Sequence, residues 1–216
     1  MIDYKGHPYQ YWGHTTYAQH GEDHFLFGLF AMMGIRNPSY LDVGAHHPLN
    51  LSNTALFYLK GCRGVNVEAN PKAIAAFLEH RPQDTTVNIG VAPQRGTFTF
   101  HIDGNPEGVH SFIPEVAQYR TSSIQVETIT LNDVVDKYCS GVFPDFLSID
   151  IEGFDHQVLD AVNFSFSRPK VICCEARVPE EIGKLKEVLC NRGYFCLCFC
   201  MHNLVFVLNE YESKVR

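Results

Sequence analysis

Short apolar runs alternate along this chain with segments whose apolar residues recur at helical spacing. That alternation predicts parallel strands linked by helices. The clearest unit runs from Tyr40 to Asn70. Tyr40–Val43 is a short apolar run that stops at Gly44. A helix is expected to start near Ser52, where Ser52, Asn53 and Thr54 offer capping groups. It continues through Ala55–Leu59 and ends at Gly61. Val65–Glu68 is the next strand. The unit spans ~30 residues, the size of one strand–helix–strand crossover.

The same pattern extends in both directions. Tyr17–Met33 reads as a helix with Phe25, Leu26, Leu29 and Phe30 on one face, stopped by Gly34 and Pro38. Pro71 opens a helix to about His80, with Ile74, Phe77 and Leu78 inward. Thr86–Val91 is a third strand. Gly96–Ile102 and Ile124–Ile129 alternate cleanly, as half-buried strands that pair with each other do. The loop between them, Asp103–Arg120, is long for a compact domain, and such loops are usually functional or disordered. Its His110-Ser111-Phe112 is the candidate acceptor-facing segment. Thr130 caps a helix to about Tyr138. Phe146–Asp150, a helix over Phe154–Ala161, Val171–Glu175 and a helix over Pro179–Asn191 follow. Phe195–Cys200 and Leu204–Leu208 form a closing hairpin.

In open parallel sheets a ligand sits beyond the carboxyl ends of the strands. Gly44 lets backbone approach a ligand there, and Glu68 can accept from the cis-hydroxyls of a ribose. A dinucleotide would need a glycine-rich turn with amides free for the pyrophosphate. The turn here, Gly44-Ala45-His46-His47-Pro48, has one glycine and a proline without an N–H. An unphosphorylated adenosyl ligand such as S-adenosylmethionine fits better.

These residues resemble the FkbM-type S-adenosylmethionine-dependent methyltransferases. The likeness is carried by Leu41-Asp42-Val43-Gly44-Ala45-His46-His47-Pro48, Ser52-Asn53-Thr54 and Gly61–Pro71. Gln19-His20-Gly21-Glu22-Asp23 and Ser148-Ile149-Asp150-Ile151-Glu152-Gly153 resemble two further signatures, in the right order. The resemblance covers roughly residues 17–177. It implies an α/β, Rossmann-like class I methyltransferase fold. The sheet would be mostly parallel and seven-stranded, with an antiparallel strand in the C-terminal hairpin and helices on both faces. The chain is read as a single methyltransferase domain, 1–216: an arm and helix over 1–38, then a core over 39–216 with inserted strands and a loop at about 96–129.

Candidate cofactor-binding residues are Glu22, Asp42, Gly44, Ala45, His46, Ser52, Asn53, Glu68, Ala69, Asn88 and Asp150. Glu22 or Asp23 would face the cofactor's amino group or its sulfonium. The alternative is that both acids serve the helix dipole. Asn88 would meet an adenine edge, or else turn the chain at a strand end.

Asp150 and Glu152 end a buried strand, where burial and mutual repulsion raise a carboxyl pKa. They are the first candidates for general base, with His110, His47 and His156 as others. Asp150, Glu152 and Glu175 are also candidate ligands for Mg²⁺. The resemblance implies O-methylation of a hydroxyl on a sugar, glycan or secondary metabolite. An NAD-type oxidoreductase and a non-catalytic adenosyl-binding module are the alternatives.

The formal net charge of −7, without a basic cluster, argues against a nucleic-acid partner and against anionic membranes. No apolar run is long enough to span a bilayer, and acids precede the apolar stretch Phe25–Met33, so a cytoplasmic protein with a small-molecule or glycan acceptor is expected. Self-association is left open. The eight cysteines are expected to be thiols; Cys196, Cys198 and Cys200 would share one strand face. His20 and His24 stand at helical-neighbour spacing but lack a third metal ligand. Tyr4, Tyr9, Tyr11 and Trp12 are either an aromatic lid over the acceptor or an arm packed on the core.

Overall fold

The computed structural model describes residues 9–11, 14–103, 110–113 and 120–216. Its elements, in chain order, open with a short hairpin of β1 (Tyr9–Tyr11) and β2 (His14–Thr16), then α1 (Glu22–Met33) and β3 (Tyr40–Val43). Next come α2 (Ala55–Leu59), β4 (Gly64–Glu68), α3 (Ile74–His80), β5 (Thr85–Asn88) and β6 (Gly90–Val91). The inserted strands are β7 (Gly96–Asp103) and β8 (Arg120–Ile129). Then follow α4 (Leu131–Tyr138), β9 (Phe146–Ile149), α5 (Asp155–Ala161), β10 (Val171–Glu175) and α6 (Pro179–Cys190). β11 (Tyr194–Cys200), β12 (Asn203–Leu208) and α7 (Glu212–Val215) close the chain.

Seven strands form the main sheet in the order β11-β12-β10-β9-β3-β4-β5. From β10 to β5 every pairing is parallel, and β12 is antiparallel to both its neighbours. This is the mostly parallel, seven-stranded sheet with an antiparallel strand in the C-terminal hairpin that the resemblance implied. Its central strand β3 is buried at every position, as a strand covered on both faces must be. Leu41 and Val43 pack in one apolar layer with Val134, Leu159 and Leu185, from α4, α5 and α6. Tyr40 packs in the other, with Leu26 and Phe30 of α1 and Phe57 of α2. A second sheet, β6-β8-β7, sets Thr97 opposite Glu127, as the alternation implied.

Several boundaries differ from the sequence expectation. α1 begins at Glu22, not Tyr17. Gly21 takes a left-handed conformation, and Asp23 accepts from Thr16 Oγ1, the Tyr17 amide and the His24 amide, which folds 17–21 back on themselves. Phe25 is 43% exposed, and Met33 takes a place on the buried face instead. Leu78, expected inward, is 59% exposed, because Phe77 is the residue of α3 that reaches the core. α2 begins at Ala55, with Ser52 Oγ accepting the Ala55 amide at 3.1 Å. The strand expected over 86–91 is two: β5 pairs with β4, and β6 crosses to β8. In β11 an irregularity between Cys196 and Cys198 breaks the shared face. Cys196 packs against one core layer and Cys198 against the other. All eight cysteines are free.

One buried polar network lies behind β3. Arg81 is fully buried and pairs with Asp84 at 2.9 Å. It also donates to Thr54 Oγ1 at 3.0 Å and to the Tyr40 hydroxyl at 2.9 Å. Thr54 Oγ1 donates in turn to Asp42 at 2.5 Å. A buried guanidinium needs such a complete set of acceptors.

Candidate active site

The carboxyl ends of β3, β4, β9 and β10 open into one cavity. Among its walls are Asp42, Gly44, Ala45, His46, Ser52, Asn53, Glu68, Ala69, His110, Asp150 and Glu152. Three expected residues stand elsewhere. Glu22 turns its carboxylate to Asn203, which does line the cavity. Asp23 is spent on the capping bonds above. Asn88 donates to the carbonyls of Glu68 and Ala69 at 2.7 and 3.1 Å, which fixes the strand end and leaves Ile89 on the wall.

The turn after β3 is closed on itself. The Gly44 and Ala45 amides donate to the Val67 carbonyl at 2.9 and 3.1 Å, and the His46 amide donates to Glu68 Oε2 at 2.8 Å. No amide of Gly44–His46 is left for a phosphate, and Pro48 has none. The glycine lines the cavity and also meets a demand not expected of it. A Cβ on residue 44 would meet the Asp150 carbonyl oxygen at 1.8 Å, so a protein contact itself requires Gly44. His47 Nδ1 accepts the Leu49 and Asn50 amides at 3.1 and 3.0 Å, which makes it a turn-former and not a base.

Glu68 is 6% exposed and its two oxygens accept one amide each, from His46 and Asn70 (2.7 Å). A carboxylate oxygen accepts more than one hydrogen bond, so each keeps capacity for a hydroxyl. Burial raises its pKa, against the pull of those amides. Burial, with His110 and His47 nearby, pushes His46 down to about 4. Ile89, Val91, Phe100 and Phe112 form an apolar wall beside Glu68 and Ala69. At the other end stand Gln19, Ser52, Asn53, Ser148 and Asn203, all polar.

Carboxylates gather where β9 and β10 end. Asp150, Glu152 and Glu175 bring one oxygen each within 4.8 Å of one another. Arg177 Nη2 pairs with Glu152 at 2.7 Å, and its Nε with Glu175 at 2.9 Å. Burial first, then Glu175 and Glu152, raise Asp150 well above the ordinary range. Burial, then Glu175, push Glu152 up to about 7 and Asp155 up to about 8. Asp150 Oδ1 is buried without a hydrogen-bond partner. Ser111 Oγ donates to the Glu152 carbonyl at 2.7 Å and so ties the 110–113 segment to this corner. The His110 ring lies 6.2 Å from that of His46. His156 lines a second, adjoining cavity, which shares Glu152, Glu175 and Arg177.

The helical pair of histidines makes other contacts. His24 Nε2 is 2.8 Å from the Thr15 carbonyl oxygen, and the His20 ring packs on His202. Tyr4 and Trp12, and the side chains of Tyr9 and Tyr11, lie outside the described residues. So does the 104–109 and 114–119 part of the long loop.

A profile of the Methyltransferase FkbM domain matches residues 42–196. The chain belongs to that family. An FkbM methyltransferase takes S-adenosylmethionine, and the cavity suits it. The acid stands at the tip of β4, the apolar wall beside it, the polar groups at the far end, and the turn lacks free amides for a pyrophosphate. No curated protein sequence matches this FkbM methyltransferase. Among solved structures it is similar to precorrin-6y C5,15-methyltransferase from Geobacter metallireducens. Identity is 16% over 83% of this chain and 85% of that one, with a TM-score of 0.45. A TehB-like SAM-dependent methyltransferase from Corynebacterium glutamicum matches at 12% identity, 88% of each chain and a TM-score of 0.44. The fibrillarin pre-rRNA processing protein of Methanococcus jannaschii matches at 13%, over 81% and 67%, with a TM-score of 0.44.

Sequence reasoning did not single out Gln19, Phe100, Ser148 and Asn203 on the wall. Gln19 stood within a recognised motif, and its position just ahead of the acids was the available signal. Asn203 carries no local signal, because it reaches the cavity only through the pairing of β12 with β10.

Proposed function

We propose that this methyltransferase moves a methyl group to a hydroxyl oxygen of a sugar, glycan or secondary metabolite. The observation that carries the reading is the buried, unpartnered Oδ1 of Asp150, its carboxyl raised by burial, beside Glu152, which is pushed up to about 7. An alcohol is a poor nucleophile until its proton leaves, and a base with a pKa near the working pH removes it best. The cofactor supplies an activated methyl on a sulfonium. The protein then has to hold the acceptor oxygen in line and take its proton.

Asp150 and Glu152 share the second task. Arg177 offsets their charge, and Glu175 holds Arg177 in place. His110 borders the same cavity near Phe100, where an acceptor ring would lie against it. A guanidinium on two of the three clustered carboxylates serves as their cation, which favours proton transfer by the protein over a Mg²⁺-held alkoxide. A net charge of −7 supports a small-molecule or glycan acceptor over a nucleic acid, and eight free thiols support work in a reducing compartment. Among the described residues no helix is long and apolar enough to cross a membrane.

The test is incubation with methyl-labelled cofactor and fractionated cell extract. Label in an alkali-stable ether on a hydroxylated product supports the proposal. Label on nitrogen or carbon, or no transfer while the cofactor binds, overturns it.

A further inference from the structure

The polar end of the cavity is closed by a contact between the first helix and the last strand. Asn203 opens β12, is 7% exposed and lines the cavity. Its Nδ2 donates to Glu22 Oε1 at 3.0 Å, across 181 positions of sequence. The other oxygen of Glu22 accepts the His20 amide at 2.7 Å. Glu22 is 1% exposed and does not reach the cavity wall.

This arrangement fixes the sense of an amide. An asparagine in a polar pocket can present either its NH₂ or its carbonyl edge. A carboxylate on one side accepts only the NH₂ edge, so the carbonyl Oδ1 is turned the other way. Among the described residues no hydrogen bond occupies that oxygen. The wall also carries Gln19, Ser52, Asn53 and Ser148, Asp42 lies beside Ser148 in register, and Glu175 stands opposite Asn203 on β10. With the ribose on Glu68, the amino-acid tail of the cofactor extends to this opposite end. That tail carries an ammonium, which needs acceptors, and a carboxylate, which needs donors.

The geometry points to Asn203 Oδ1 as an acceptor for the cofactor's α-ammonium, with Glu22 as the positioning residue that holds the amide in the accepting sense. The assignment rests on the cofactor seat described above. It moves the role expected of Glu22 to a residue at the far end of the chain, and gives a buried acid outside the cavity a reason to be there.

Calorimetry with the full chain tests it, using S-adenosylhomocysteine and its analogue lacking the α-amino group. In the wild-type protein the amino group is expected to add about tenfold or more in affinity, the range of a charge-assisted hydrogen bond. Asn203→Ala should lose about that factor for S-adenosylhomocysteine and change less than about twofold for the analogue. Glu22→Gln should give part of the same pattern. A glutamine cannot accept from both His20 and Asn203 without turning its own NH₂ onto one of them. This variant is isosteric and carries the comparison if Asn203→Ala does not fold. Equal weakening of both ligands, or undiminished discrimination in the variants, overturns the assignment alone. Failure of the wild-type chain to bind either ligand overturns the cofactor seat first, and the two failures are thereby distinct.

Discussion

The carbonyl oxygen of Asp150 lies where a side chain on residue 44 would be: a Cβ there would sit 1.8 Å from it. The Asp150 amide also donates to the Val43 carbonyl at 2.9 Å. The turn after β3 and the loop that carries Asp150, the proposed base, are therefore one packed unit. Gly44 has φ +79°, a conformation that costs an L-residue roughly 1–2 kcal/mol before any clash. Gly44→Ala is expected to pay that cost and to push the Asp150 loop outward. Thermal unfolding should shift down by several degrees, and S-adenosylhomocysteine binding should fall with it in calorimetry. A variant with wild-type melting and affinity would show that the two loops slide independently.

Glu68 has two jobs at once. Its oxygens hold the turn through the His46 and Asn70 amides, and they face the cavity. Removing it with Glu68→Ala is expected to weaken S-adenosylhomocysteine binding by ~1.5–3 kcal/mol, the usual loss for hydrogen bonds to a charged group. Glu68→Gln should be nearly as harmful. Both oxygens accept from fixed backbone donors, so the new NH₂ must point at one of them. If the glutamine variant binds like wild type, the turn does not depend on Glu68 in this way.

How much of this was legible beforehand follows from range. Gly44, Glu68, Asp150 and Glu152 end short apolar runs, and in a parallel sheet all such ends meet on one edge. Local pattern therefore finds them. Thr130 with Asp133 forms a capping box that the sequence also announces. Phe100 reaches the cavity because it lies in a second sheet beside the first, and nothing in the alternation of its strand says which way that sheet faces. Arg81 is the sharpest omission. A cationic residue at a helix end reads as solvent-exposed, yet it is fully buried under three acceptors supplied by Tyr40, Thr54 and Asp84. The contact that Glu22 makes was not legible either, since its partner Asn203 lies 181 positions away.

Arg177 decides the question of metal. A divalent ion among Asp150, Glu152 and Glu175 would need the oxygens that now face the guanidinium. EDTA is accordingly expected to leave methyl transfer unchanged, whereas Arg177→Ala should slow it and weaken the fold by removing the cation from the cluster. Labelled-methyl turnover with and without EDTA reads the first, and thermal unfolding the second. Loss of turnover on chelation, restored by added Mg²⁺, would place an ion where Arg177 now sits.

The same cluster sets a pH dependence of stability whose sign can be worked out. Glu152 is pushed up to about 7 and Asp155 to about 8, and Asp150 is raised as well, all chiefly by burial. In the unfolded chain these carboxyls have lost their protons by about pH 5. The folded state therefore binds more protons than the unfolded one above that point, so stability falls as pH rises. His46 opposes this, being held down to about 4, and so does His47, but their contribution is complete once the unfolded imidazoles have deprotonated, by about pH 7.5. Asp133, lowered mainly by Arg95, contributes a constant amount above about pH 5. Raised cysteine thiols enter only from about pH 8.5 upward. Between about pH 7.5 and 8.5 the raised carboxyls, Asp42 and Glu68 among them, thus set the slope, and the melting temperature is expected to decline across that window. Glu152→Gln should flatten the lower half of the decline and Asp155→Asn the upper half. A flat or rising wild-type profile would mean that the cluster is ionised in the folded protein, and the base assigned to Asp150 would lose its physical ground.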